Sequence, residues 1–136
     1  MGKAFLGLFV CALLIGCSAS DDIPKGEATI AEFHQKLNAA DFDAIYDGSS
    51  PDMQKATAKE DFIKFVSAVH RKLGDFQSGK TSGWNDTVAT GGHFLMLSYA
   101  ATYEKGDATE NFKFQIKDGK AILTGYQINS NALIVN

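Results

Sequence analysis

The side chains best suited to chemistry in this 136-residue chain are three histidines, two cysteines and a few carboxylates among aromatic residues. His34, His70 and His93 stand far apart, with no His-x3-His or Cys-x2-Cys spacing, so the pattern names no metal ligands. No Gly-x-Ser-x-Gly elbow is present for nucleophilic catalysis, and the glycine pairs read as turns rather than phosphate loops. No motif implies a cofactor. The two thiols are Cys11, inside an apolar run, and Cys17 at its end. The remaining candidate is Asp86, which alternation places beside Trp84, Leu97 and Tyr99, with Tyr103 and Glu110 nearer an opening. A carboxylate desolvated by aromatic rings is raised in pKa and suited to taking a proton from a carbonyl compound. Trp84 and Tyr99 read equally well as plain core, and a bulge between Gly83 and Val88 would turn Asp86 outward. Trp84, Asp86, Tyr99, Tyr103 and Glu110 therefore stand as a candidate ligand pocket, with Asp86 its one catalytic candidate. His34 reads as a hydrogen-bonded residue at the edge of a buried helix face.

The elements that position these residues follow from periodicity. Ile30, Phe33, His34 and Leu37 recur at helical spacing in a first helix from about Ala28 to Asn38. Asp41 can cap a short second helix carrying Phe42, Ile45 and Tyr46, and Ser49-Ser50-Pro51 starts another turn with Pro51 at a tolerated first position. Thr57-Ala58-Lys59-Glu60 has the form of a capping box, followed by an apolar stripe of Phe62, Phe65, Val66, Val69 and Leu73 that Gly74 ends. Beyond Gly74 the period changes to two. Phe76 to Thr90, His93 to Glu104, Asp107 to Lys117 and Lys120 to Asn129 read as strands joined by Gly91-Gly92, Lys105-Gly106 and Asp118-Gly119.

Those turns set Val88 opposite Leu95 and Leu97 opposite Phe114, and the alternation favours a bulged last hairpin with Ile122, Thr124 and Tyr126 inward. Helices followed by an antiparallel meander make an α+β fold, with N-terminal helices packed on a curved, mainly four-stranded sheet. Phe94 and Met96 fall on the opposite face and suggest a surface for a homodimer or another protein partner, unless the C-terminal Ala132 to Val135 covers it.

Composition bounds the function. A hydrophobic fraction of 45% with ten phenylalanines suits one globular domain. The net charge of −3 is spread without a basic stripe, which argues against nucleic-acid binding.

The amino-terminal segment has the order of an export signal: Lys3, then an uncharged, mostly apolar run from Ala4 to Gly16, too short for a spanning helix of about 20 residues. Its end, Leu14-Ile15-Gly16-Cys17, resembles the lipobox of bacterial lipoproteins. That resemblance implies cleavage between Gly16 and Cys17, a diacylglycerol on the Cys17 thiol and an acyl chain on the new amino group. Two or three acyl chains, at about 0.8 kcal/mol per buried CH₂, suffice for stable membrane anchoring. Ser18 implies, by the family's sorting rule, an outer-membrane lipoprotein facing the periplasm. The expected organisation is a signal peptide over 1–16, a lipidated tether over 17–27 and one domain over 28–136.

The order of elements, with the Asn38-Ala39-Ala40-Asp41-Phe42 break, the helix ending Leu73-Gly74 and the four-stranded meander, resembles the nuclear transport factor two-like (cystatin-like) superfamily. Phe33 with Leu37, Tyr99 with Tyr103, and Lys117-Asp118-Gly119-Lys120 are similar to small bacterial lipoproteins classed as a domain of unknown function. The resemblance implies a cone with its mouth between sheet and helices. It implies either a non-catalytic ligand-binding or protein-binding domain, an isomerase- or cyclase-like enzyme using Asp86, or a structural envelope partner.

Overall fold

A computed structural model describes residues 19–135, with side chains from residue 21. Gly16, Cys17 and the apolar run before them lie outside the described residues. Among the described residues, five helices and four strands follow in order: α1 Ala19–Asn38, α2 Phe42–Asp47, α3 Pro51–Ala56, α4 Lys59–Leu73, β1 Phe76–Ala89, β2 Gly92–Tyr103, β3 Gly106–Lys117, β4 Lys120–Asn129 and α5 Ala132–Val135. The strands form one antiparallel sheet in the order β1-β2-β3-β4, so the architecture is α+β, with the helices on one face of the sheet. No helix among the described residues is long and apolar enough to cross a membrane.

The first helix is longer than its periodicity suggests. Residues 19–27, expected as a polar tether, continue α1 through Pro24. What holds this extension down is contact rather than propensity: Asp22 and Gly26 are buried, as are Ile30, Phe33, His34 and Leu37. Gly26 marks the closest approach of α1 to the sheet. A Cβ there would stand 2.7 Å from Leu97 Cδ1, 3.0 Å from Leu95 Cδ2 and 3.2 Å from Phe114 Cε2. Gly26→Val should therefore lower unfolding free energy by about 1–3 kcal/mol through overpacking, despite valine's better helix propensity. Urea denaturation checks this, and an unchanged midpoint would mean that α1 does not seat on those three side chains.

Capping follows local chemistry at α2 and α3. The Asp41 side chain accepts from Ala44 N, and Ser50 Oγ accepts from Met53 N at 3.2 Å with Pro51 at the first helical position. Ser50 also ties α3 to the edge strand, donating to Thr124 Oγ1 at 2.7 Å while its backbone N–H donates to Leu123 O at 2.8 Å. The expected capping box at α4 does not form. Thr57 instead ends α3, Ala58 is the N-cap of α4, and no side chain caps it. The Thr57 carbonyl accepts from the Tyr46 hydroxyl at 2.7 Å, which holds this junction in place of the box. Phe62, Val66, Val69 and Leu73 are buried as expected, but Phe65 is 42% exposed, because the stripe faces α1 and α2 and leaves Phe65 on its flank.

Two hairpin loops lie one residue earlier than the glycines suggest, at Thr90-Gly91 and Glu104-Lys105. Each pairing therefore differs from expectation by two residues: Val88 faces His93, Asp86 faces Leu95, Leu97 faces Phe112 and Tyr99 faces Glu110. A shift of two keeps every side chain on its face, whereas a shift of one would invert the sheet. The last hairpin is a strict two-residue turn, with Asp118 at φ 52° and Gly119 at φ 73°, which sets Leu123 inward and corrects the bulged-loop expectation. Left-handed values at both positions match the twist of the flanking strands. A bulge does occur in β4, opposite Lys113 and Phe114, and it turns Tyr126 inward.

The core gathers where α1 crosses β2 and β3. Leu95, Leu97, Phe112 and Phe114 are fully buried there, and the Phe33 ring meets Phe112 edge-on at 5.2 Å. Asn38 closes the end of α1 onto β1, donating to Phe76 O at 3.0 Å and accepting from Phe76 N at 2.8 Å. The C-terminal α5 packs on α4, with Lys72 Nζ donating to Leu133 O at 2.7 Å, and not over the outer face of the sheet.

Candidate functional site

Alternation in β3 puts Glu110 among Ala108, Phe112 and Phe114 on the inward face, and the structure buries it completely. It lies at the centre of the interior, not near an opening. Its Oε1 accepts from the Tyr103 hydroxyl at 2.5 Å and the Tyr126 hydroxyl at 2.6 Å, and its Oε2 stands 2.8 Å from His34 Nε2. Four elements supply this network: α1, β2, β3 and β4.

His34 is 3% exposed, and its ring stacks on Phe76 at 3.6 Å with an interplanar angle of 3°. Its Nδ1 is buried and has no hydrogen-bond partner among the described residues. The hydrogen of a neutral His34 therefore belongs on Nε2, facing Glu110, because an unpaired buried N–H costs more than a bare ring nitrogen. The expected hydrogen bond of His34 is present, and the residue is buried fully rather than standing at the edge of the helix face.

Burial raises the Tyr103 hydroxyl far above the ordinary phenol range, and the adjacent Glu110 adds to this. Burial followed by Glu110 likewise raises Tyr126. Tyr99 is raised by burial first, then by Glu110 and Glu27. A phenol that keeps its proton is a hydrogen-bond donor and not a base. Both hydroxyls are spent on one carboxyl oxygen.

The five residues expected to share a pocket therefore separate. Tyr99, Tyr103 and Glu110 gather around His34, while Trp84 and Asp86 belong to the other end of the sheet. The register runs unbroken from Gly83 to Ala89, so no bulge turns Asp86 outward and it keeps its inward parity. Its Oδ1 lies 2.6 Å from His93 Nε2, and Asp22 Oδ2 lies 3.3 Å from the same nitrogen. Trp84 stands on an edge strand and is 57% exposed. His70, at the far end of α4, pairs with Asp75 at 2.6 Å.

Among the described residues, surface clefts flank this filled interior, and three of them, none lined by His34, Asp86 or Glu110, stand out. One of about 440 Å³ lies between α1, the end of α2 and the β3–β4 turn, with Lys25, Lys36 and Lys120 among its walls. A second, of about 680 Å³, runs over the outer face of the sheet past Lys80, Ala100 and Thr109. The third, of about 450 Å³, opens between α3, α4 and the bulged part of β4. Its walls include Phe62, Phe65, Met96 and Tyr126, with Asn111 and Lys113 at the polar side. Sequence reasoning missed it because Phe65 falls in a helical stripe that reads as core, and no pattern predicts a bulge at Thr124-Gly125.

A Glu–His pair could exchange a proton with a substrate that reached it. Here every donor facing the carboxyl is internal, and aromatic rings occupy the space a substrate would need. Those rings include Phe33, Phe76 and Phe112, each within 6.0 Å of the His34 ring centroid.

No curated protein matches the chain. Residues 31–122 match the family described as "Protein of unknown function (DUF3887)", a span that runs from α1 to the start of β4. It includes His34, Asp86, His93, Tyr103 and Glu110, and stops short of Asp22 and Tyr126. The match covers well over half of the sequence, and the chain belongs to this family of unknown function.

Proposed function

We propose that this chain is a lipid-anchored, non-catalytic binding domain of the cell envelope that takes a small, largely apolar ligand between α4 and β4. One observation carries the binding reading. Phe65 and Met96, exposed by 42% and 46%, come from a helix and from the outer face of the sheet, yet line the same cleft. Large apolar side chains left out of a core and gathered around a concave surface, with a few polar groups beside them, are the usual make-up of a small-ligand site. The closed interior supports a role without catalysis. If the fold is taken as the cone of a nuclear transport factor two-like domain, aromatic residues of the chain occupy that cone.

The anchor rests on Leu14-Ile15-Gly16-Cys17, with Ser18 favouring the outer membrane. Because α1 begins at Ala19, such an anchor would hold the domain close against the bilayer, with no long spacer.

The two parts are tested separately. Labelled palmitate should enter the native chain and not Cys17→Ser; incorporation into that variant, or none into the native chain, sinks the anchor. Binding of the probe 1-anilinonaphthalene-8-sulfonate should be displaced by medium-chain fatty acids and weakened about tenfold by Phe65→Ser, for roughly 1.4 kcal/mol of lost contact. Probe affinity in Phe65→Ser and Met96→Ser equal to that of the native chain would place the site elsewhere.

A further inference from the structure

We propose that Asp22, Asp86 and His93 form a site for a divalent transition-metal ion of the zinc class. The three residues come from three elements, α1, β1 and β2, and converge next to the β1–β2 turn. One donor atom from each lies within 4.8 Å of the others. An imidazole with two carboxylates is a mixed nitrogen and oxygen donor set, suited to zinc and its neighbours rather than to magnesium or calcium.

Burial and a shortage of donors together point to a cation. The Asp22 and Asp86 side chains are 7% and 10% exposed, so two carboxylates sit nine-tenths out of water. Both face the single Nε2 of His93, which carries at most one hydrogen. Oδ2 of Asp86 accepts no hydrogen bond among the described residues. Buried carboxylates are ordinarily paired or bound to metal; Lys25 serves Asp22 Oδ1, which leaves Asp22 Oδ2 and Asp86 to share the one Nε2 of His93.

Two of the three donor separations lie close to those of a tetrahedral set, and all three fall within 4.8 Å. Donors at about 2.0–2.2 Å from a tetrahedral ion stand about 3.3 Å apart. The Asp22 Oδ2 to His93 Nε2 distance is 3.3 Å, while Asp86 Oδ1, at 2.6 Å, must withdraw by a fraction of an ångström. Lys25 Nζ holds Asp22 Oδ1 at 2.8 Å, which orients the carboxylate and leaves Oδ2 to face His93. Three protein ligands leave a fourth position open to water or an exogenous anion.

Trp84, the one tryptophan of the chain, lies two residues from Asp86 on the same strand face, about 7 Å along β1. Its emission reports occupancy. The full chain, held in detergent micelles and stripped of metal by chelator, is titrated with Co²⁺ and then Zn²⁺. One equivalent of Co²⁺ should quench Trp84 and give visible absorption bands of four-coordinate strength, and Zn²⁺ should reverse both. Asp86→Asn and His93→Gln should each weaken binding at least about tenfold, while His70→Gln, at the other end of the fold, should leave it unchanged. The wild-type visible spectrum tests the site without any substitution. The proposal is overturned if Co²⁺ at millimolar concentration changes neither emission nor absorption. It is equally overturned if the two site variants bind as the wild type does, or if His70→Gln weakens binding as much as they do.

Discussion

Replacing Glu110 with alanine should cost about 3–5 kcal/mol, the range for breaking a buried hydrogen-bonded pair by removing one partner. The physical reason is what remains behind. His34 Nε2 and the hydroxyls of Tyr103 and Tyr126 all point at the lost carboxyl, and the two buried residues among them are 3% and 2% exposed, so water does not readily replace it. Each stranded donor carries a desolvation penalty of about 1–3 kcal/mol, partly relieved by collapse of the cavity. A domain of this size is stable by about 5–15 kcal/mol, so the variant should approach its folding threshold. Glu110→Gln keeps the shape and one acceptor oxygen and should lose less. Removing the donors as well, in Glu110→Leu with Tyr103→Phe and Tyr126→Phe, should recover a large part of the loss, because apolar groups need no partner. Urea denaturation of the four proteins separates these cases. If Glu110→Ala unfolds within about 1 kcal/mol of the native chain, the network does not organise the interior.

How far these features could be read in advance depends on which interaction decides each one. Sheet faces were legible because side-chain direction has period two and survives loop shifts of a whole residue at both strands. That is why Glu110, an acidic residue at an inward position between Ala108 and Phe112, was detectable as an anomaly. Of its partners, His34 sits openly within the stripe of Ile30, Phe33 and Leu37 and Tyr103 shares its sheet face, while Tyr126, expected inward through a bulged turn, reaches Oε1 through a bulge within β4 instead. The α4 cap illustrates the converse. Thr57 and Glu60 have the right spacing, and the tertiary bond from Tyr46 to the Thr57 carbonyl outcompetes them. Asp22 was hidden for a third reason. Pro24 and the small polar residues around it carry the composition of a linker, and only burial against the sheet holds them in α1. A cluster assembled from α1, β1 and β2 has no local spacing for a motif to show.

The largest effect of pH should appear on the alkaline side. Tyr103 and Tyr126 have phenol pKa values raised by burial and by Glu110 above the ordinary value of 10.0. A raised folded-state value means that, above pH 10, the unfolded chain releases protons that the folded chain retains. The contribution of these groups to stability is therefore complete below pH 10 and is lost as pH rises through the window above it. Each such group changes the unfolding free energy by about 1.4 kcal/mol per pH unit, so two together give about 2.7 kcal/mol per unit. Stability should therefore fall steeply as pH rises above 10, with a smaller addition from the more exposed Tyr99. Tyrosinate absorbance near 295 nm provides the direct check: two phenols should ionise only as the fold is lost, in step with the circular dichroism transition. Tyr103→Phe should flatten the dependence by about one proton's worth, roughly 1.4 kcal/mol per unit, although it also removes a hydrogen bond at neutral pH. Tyrosinate formation by all four tyrosines near pH 10 in a chain that remains folded would show that solvent reaches Glu110. The interior would then be an open cone rather than a closed one.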